Sequence, residues 1–351
     1  MRILEVSVGY SPPVGGVAQH VKNISERLAR KHEVTVFTHN YRGMLPTEER
    51  INGVLVKRFR SFSPNVAYHL SVEMLNELRK CEFDIVHGHN YHALPLYLSR
   101  YAKRKKFVVT PHYHGHGHTQ FRNFLLKLYK PFGKRIFAEA DAIISVSNYE
   151  KELLVKDFGL DEGKIRLIPN GIDWTEFAGG GGQEKTKTIL YVGRLEKYKG
   201  VQYIIQALPL LDDDFCLEIV GRGTHERELA GLVDRLGLSH RVRFNQLLSR
   251  SQLLEMYNRA GVFVLLSQHE AFSIVVAEAL ASKTPCIVAS TSALKEWVDN
   301  RNCFGVDYPV DIDQLAGLIN KVIGRRVTGV KLWDWDDVVR ELEHIYDLGQ
   351  G

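Results

Sequence analysis

The sequence predicts an α/β protein of two Rossmann-like domains, each a mostly parallel sheet with helices on both faces. Two observations carry this reading. Short apolar segments of strand length alternate with amphipathic helical patterns, and the alternation runs through the chain twice. Between the two series lies Ala178-Gly179-Gly180-Gly181-Gly182-Gln183, whose four successive glycines suit no regular element and read as a flexible connection.

In the first series, strands are expected at 3–8, 34–38, 54–59, 85–87, 107–110, 142–146 and 165–168. Helical spacing falls at 19–30, 72–80 and 149–157. The second series has strands at 188–192, 215–220, 242–244, 262–266 and 286–289, with helices at 201–208, 226–236, 251–259, 273–281 and 314–323. These set a first domain at 1–172, a linker at 173–187, a second domain at 188–332 and a closing helix at 333–348. Ligands of doubly wound sheets sit at the carboxyl ends of the strands, so two such domains facing each other would enclose a cleft.

Composition excludes several classes. With 44% hydrophobic and 25% charged residues the chain is an ordinary globular protein, and no apolar run reaches the roughly 18 residues of a membrane helix. The N-terminus reads as a first strand and not as a signal peptide. Cys81, Cys216, Cys286 and Cys303 are far apart and form no metal-type pair, which points to reduced thiols and a cytoplasmic location. A net charge of +5 is too mild to imply nucleic acid. Charge is uneven, however. Residues 100–138 carry ten Lys and Arg, no Asp or Glu, and interleaved Phe121, Phe124, Leu128 and Phe132. Such a stretch fits either peripheral contact with an anionic membrane face or a solvated helix face.

Chemistry concentrates at strand ends. His269-Glu270-Ala271-Phe272-Ser273-Ile274-Val275-Val276-Ala277-Glu278 places one carboxylate before an expected helix start and a second inside the helix. The free N–H groups of that start, at Phe272, Ser273 and Ile274, favour phosphate, and carboxylates accept hydroxyls of a sugar or ribose. Val192-Gly193-Arg194-Leu195 with Lys199-Gly200 puts fixed and mobile positive charge after a strand, as a departing diphosphate requires. Gly15-Gly16 precedes the first helix, where backbone can again approach an anion. His112, His114, His116 and His118 alternate after another strand; with no cysteine or clustered carboxylate nearby, one histidine aimed into a cleft is preferred over a metal site. Gly221-Arg222-Gly223 lacks the third small residue of a dinucleotide fingerprint, and no Walker loop is present. Asp311-Ile312-Asp313 falls at a helix start, where aspartates cap.

Taken together these motifs resemble the GT4 family of retaining glycosyltransferases with the GT-B fold. The resemblance covers essentially the whole length. It runs through Gly15-Gly16, Asp84-Ile85-Val86-His87, Thr110-Pro111-His112, Ile168-Pro169-Asn170-Gly171-Ile172-Asp173, Val192-Gly193-Arg194-Leu195, Ile219-Val220-Gly221-Arg222-Gly223 and the two-glutamate motif. It implies two domains across a cleft, with the closing helix returning to the first. It implies transfer of a hexosyl group, with retention and without metal or other cofactor, from a UDP- or GDP-hexose to a glycan or lipid-linked hydroxyl acceptor. Arg194 and Lys199 would hold the diphosphate, with Gly15, Gly16, Gly193 and Gly221 lining the donor. Glu270 would face the sugar, Phe272, Ser273 and Ile274 would offer N–H groups, Glu278 would take the ribose, and His112, or its rival His114, would sit beside the reacting sugar. Alternatives on the same architecture are a sugar-nucleotide epimerase or phosphorylase, or a non-catalytic carbohydrate-binding protein. The sequence departs from the family pattern at Ser282, where a glycine is usual, and at Ser290-Thr291-Ser292-Ala293-Leu294-Lys295, where a glycine loop often stands.

Overall fold

The computed structural model describes residues 1–12, 15–40, 43–62, 69–117, 119–177 and 185–347. The expected glycine connection at 178–183 lies outside them. The chain divides into one unit of 1–171 with 335–351 and a second of 172–334.

The first unit holds β1 (Arg2–Val6), β2 (Glu33–His39), β3 (Glu48–Ile51), β4 (Val54–Phe59), β5 (Glu82–His89), β6 (Lys103–Thr110), β7 (Ala142–Ser145) and β8 (Ile165–Leu167). Its helices are α1 (Gly16–Leu28), α2 (Val72–Lys80), α3 (Leu94–Ser99), α4 (Gln120–Glu139) and α5 (Asn148–Phe158). The sheet order is β3-β4-β2-β1-β5-β6-β7-β8. Only β3 runs antiparallel, pairing with β4. Successive strands are therefore added on one side of β1 as far as β4 and on the other side from β5 onward, which makes the carboxyl ends of β1 and β5 the switch point where ligands of such sheets bind.

The second unit holds α6 (Trp174–Phe177), β9 (Thr188–Val192), α7 (Val201–Ala207), β10 (Cys216–Val220), α8 (Glu226–Arg235), β11 (Val242–Asn245), α9 (Arg250–Arg259), β12 (Val262–Leu265), α10 (Ile274–Ala281), β13 (Cys286–Ala289), β14 (Cys303–Val306) and α11 (Ile312–Val322). All six strands are parallel, ordered β11-β10-β9-β12-β13-β14. The fully apolar β12 and β13, buried at every residue, are what a sheet covered on both faces demands. Its switch point lies between β9 and β12. The last helix, α12 (Trp335–Tyr346), belongs to the first unit.

The basic stretch at 100–138 spans several elements: Lys103, Arg104, Lys105 and Lys106 open β6, which starts earlier than the strand expected at 107–110, and 120–139 is helical. The cause is register, since β6 pairs with β5 from Glu82↔Lys103 onward. Glu48–Ile51, alternately exposed and half-buried, carries too weak an apolar signal to read as a strand and forms one through its β4 partner. Cys286 and Cys303, distant in sequence, are register partners on β13 and β14, both free and buried. Asp311 caps α11, its carboxylate accepting from Gln314 N at 2.9 Å. Among the described residues no helix is long and apolar enough to cross a membrane.

One packing feature gives a pH prediction. His39, at the end of β2, is buried against the His69 ring at 4.5 Å, and neither of its ring nitrogens has a hydrogen-bond partner. Burial, helped by His69, pushes its imidazole down to about 3. An unfolded histidine protonates near pH 6.5, so between about pH 3 and 6.5 the unfolded chain binds the extra proton. The stabilisation is complete above that window and lost as pH falls through it. Between pH 7.5 and 5 the loss is on the order of 2 kcal/mol. His39→Phe is expected to flatten the fall in melting temperature measured over this range; an unchanged slope contradicts the assignment.

Candidate active site

In the second unit, loops that follow adjacent strands meet at the β9/β12 switch point. Gly193–Gly200 follows β9 and 266–273 follows β12; Gln268 N donates to the Tyr198 carbonyl at 2.9 Å and ties the two together. Gly200 ends the turn at 197–199 with φ +76°, and a Cβ there would lie 2.4 Å from the Leu266 carbonyl oxygen. Only glycine lets these loops approach so closely.

This junction delivers the two charges that matter. Lys199 Nζ lies 2.6 Å from Glu270 Oε1, with both side chains largely buried at 12% and 15% exposure. Glu270 N in turn donates to Ser292 Oγ at 3.1 Å. Ser292 adopts φ +49°, so the loop after β13 takes a left-handed turn without a glycine, and its hydroxyl holds the 266–273 loop in return. Ser282 needs no left-handed backbone, at φ −75°; Lys283 beside it takes that conformation, at +58°. Both sequence departures are therefore accommodated locally. Arg194 is exposed and donates to Tyr198 Oη at 2.7 Å, while the buried Tyr191 hydroxyl pins the Arg194 carbonyl at 2.8 Å.

Helix α10 starts at Ile274, two residues later than the earliest expected start. Ser273 caps it with φ +86° and no side-chain bond to the helix, and its buried hydroxyl has no hydrogen-bond partner. Strain of this kind at a helix start that leaves N–H groups open is a feature of anion sites. Trp297 Nε1 donates to the Phe272 carbonyl at 2.8 Å and fixes the turn before it. Glu278, 3% exposed, accepts from Arg250 at 2.7 Å and from Tyr257 Oη at 3.1 Å. Arg250 also reaches Glu176 at 2.6 Å. The sequence reading missed Arg250 and Tyr257, which sit on a different helix and carry no spacing signal.

Gly193 and Gly221 also have a packing role. A Cβ on Gly221 would lie 1.9 Å from the Gly193 carbonyl oxygen, at φ +143°. The two glycines let neighbouring strand ends stack. Gly221→Ala is expected to cost about 2 kcal/mol or more, read as a lower urea midpoint at unchanged m value.

In the first unit the β1/β5 switch point holds a buried polar cluster. Glu5 faces His87 in register, and Glu5 Oε2 lies 2.6 Å from His89 Nε2 and 3.3 Å from His87 Nδ1. Tyr346 Oη, from α12, donates to Glu5 Oε1 at 3.2 Å and lies 2.6 Å from His87 Nδ1. Burial alone would raise the Glu5 carboxyl; the two imidazoles outweigh it and hold it well below the carboxylate range. His20 on α1 contacts Asn170 Oδ1 at 2.6 Å, and its ring packs on His112 at 4.9 Å and His89 at 5.4 Å. Burial pushes His20 to about 3, His89 to about 4 and His112 well below its ordinary value, so all three rings are neutral.

His112 takes φ +49°, and the next residue is clamped, Tyr113 N donating to buried Glu150 at 2.5 Å. His114 instead stacks on His92 at 4.2 Å, and His116 is exposed. The alternating histidines thus diverge, with His118 outside the described residues. Gly15 caps α1 at φ +99° and Gly16 begins it. Of the first-unit cluster, the sequence reading singled out His112 and quoted His87 and Asn170 within motifs. It passed over Glu5, His20, His89 and Tyr346.

Two parallel-sheet units of this topology define a GT-B fold, and solved structures agree. Sucrose-phosphate synthase from Thermosynechococcus elongatus matches with TM-score 0.80 and 22% identity over 98% of both chains. Anabaena HepE, solved with UDP and glucose, matches with TM-score 0.78 and 17% identity, again over 98% of both. The family model Glycosyltransferase Family 4 matches residues 14–176, and Glycosyl transferases group 1 matches 173–328. An uncharacterised glycosyltransferase of Methanocaldococcus jannaschii is 31% identical over 99% of this chain and 98% of its own. A GDP-mannose:cellobiosyl-diphosphopolyprenol alpha-mannosyltransferase of Xanthomonas oryzae is 28% identical over 80% and 77%. The chain belongs to glycosyltransferase family 4 and is a glycosyltransferase.

Proposed function

We propose that the enzyme moves a hexosyl group from a UDP- or GDP-hexose to a hydroxyl of a glycan or lipid-linked acceptor, retaining anomeric configuration and requiring no metal for the step. The observation that carries this is the Lys199–Glu270 pair beside the open, strained start of α10. Lys199 and Arg194 meet the diphosphate, joined by the N–H groups of Phe272, Ser273 and Ile274. Glu270 accepts from sugar hydroxyls and Glu278, braced by Arg250, from the ribose. Gly15, Gly16 and His112 are assigned by the family pattern to the phosphates and the reacting sugar. In the reaction the anomeric carbon–phosphate oxygen bond breaks as the bond to the acceptor oxygen forms on the same face. The acceptor proton passes to the departing diphosphate. The GDP-mannose and UDP relatives support a nucleotide-sugar donor.

A melting-temperature screen against UDP-, GDP- and ADP-sugars tests the donor, because a ligand that binds only the folded state raises the transition. NMR of the product then reads the anomeric configuration. No stabilisation by any nucleotide sugar, or an inverted product, overturns the reading. An epimer formed with no acceptor present would favour the epimerase alternative.

The acceptor side extends to a membrane face. Phe121, Phe124, Leu128 and Phe132 are spaced three to four residues apart along α4 and are 49–66% exposed. Arg122, Lys127, Lys130, Lys134 and Arg135 share the helix. An apolar stripe with basic flanks suits an anionic lipid surface. Flotation with liposomes containing anionic lipid is expected at low salt and reduced at high salt; absence of flotation at low salt refutes the contact.

A further inference from the structure

Among the described residues, three buried histidines from three separate elements point one ligand atom each to a common place. His20 on α1, His89 ending β5 and His112 after β6 offer nitrogens that all lie within 4.8 Å of one another. Each ring also has a buried nitrogen with no hydrogen-bond partner: His20 Nε2, His89 Nδ1 and His112 Nε2. Their tautomers follow from the opposite side of the ring. Asn170 Oδ1 only accepts, so His20 donates from Nδ1 and keeps a bare lone pair on Nε2. Ionised Glu5 only accepts, so His89 donates from Nε2 and keeps its lone pair on Nδ1. Buried lone pairs without a donor carry a desolvation cost, and His20 Nε2 and His89 Nδ1, both bare in these tautomers, cannot satisfy each other.

We infer that His20, His89 and His112 form a three-histidine site for a divalent transition ion of the zinc class. Three imidazoles leave at least one coordination position open, the pattern of a site that also takes an oxygen ligand. The partners behind the ligands match what such sites use: a carboxylate behind His89 and an amide oxygen behind His20 orient the rings and raise their basicity. Tetrahedral coordination with bonds of about 2.1 Å sets ligand nitrogens roughly 3.4 Å apart, so the rings close inward by an ångström or so. His89 sits at the end of a central strand, whereas α1 and the 112 loop lie outside the sheet and supply the movement. The sequence reading weighed the alternating histidines after β6 as a metal site, and only one of those, His112, joins this set.

The test uses the full chain stripped with a chelator and titrated with Zn(II), and with Co(II) for its visible ligand-field bands. One ion per chain is expected, with a spectrum of four- or five-coordinate nitrogen ligation. His112→Ala and His20→Phe are each expected to abolish stoichiometric uptake. Asn170→Ala, which leaves all ligands in place, weakens it 10- to 100-fold. Circular dichroism identifies a variant that fails to fold; His112→Ala then decides, since its ring lies on a loop. No stoichiometric uptake by the folded wild type, or uptake unchanged in His112→Ala, overturns the site and in the latter case places the ion on surface histidines. If His112 also serves the sugar as proposed above, Zn(II) inhibits transfer; the binding titration stands whether or not that reading of the reaction holds.

Discussion

Lys199→Ala is expected to lower turnover by on the order of 100-fold or more while leaving the protein folded. Lys199 sits on a short turn closed by Gly200, and its ammonium is held 2.6 Å from Glu270 in a largely buried pair. Removing it takes away a preorganised cation and leaves a half-enclosed carboxylate unpaired where an anionic diphosphate is proposed to bind. Both effects act against the developing negative charge of the leaving group. Arg194→Ala is expected to fall in the same range. Arg194 is exposed and anchored through its backbone by Tyr191, so the fold does not depend on its guanidinium. Steady-state kinetics with a saturating donor reads the effect, and near-normal turnover of either variant removes that residue from the reaction. Glu270→Gln complements them: nucleotide binding persists and transfer is lost.

Glu5→Ala is expected to act on stability. The carboxylate is fully buried, accepts from Tyr346 Oη and His89, and lies beside His87. Deleting it leaves the buried Tyr346 hydroxyl and His89 N–H without their acceptor, at about 1–3 kcal/mol for each. Calorimetry should show the transition of the first unit lowered by roughly 10 °C with that of the second unchanged. A shift of both, or of neither, contradicts the placement.

The fold was legible because parallel strands covered on both faces read as plain apolar runs, as in Val262-Phe263-Val264-Leu265. β3 was not, since Glu48-Glu49-Arg50-Ile51 owes its conformation to pairing with β4. In the second unit, Arg194, Lys199 and Glu270 could be found because each follows a strand within a few residues. Arg250 could not: its partners Glu176 and Glu278 lie 74 and 28 residues away, and only folding brings them together. The same holds for the first-unit cluster. Glu5 sits between the apolar Leu4 and Val6 of β1, and its reason for being charged lies 84 residues on, at His89, and 341 residues on, at Tyr346.

That last distance bears on how the molecule is made. Trp335 packs its ring on His20 at 5.6 Å, and Tyr346 completes the hydrogen bonds of Glu5, so the first lobe takes in pieces encoded after the second. The second lobe is encoded entirely in between, with its two boundary residues bridged at Ile172↔Asp334. During synthesis the inserted lobe has all its parts before the lobe that started first, and a fragment ending at residue 334 would leave a buried carboxylate and a histidine face uncovered.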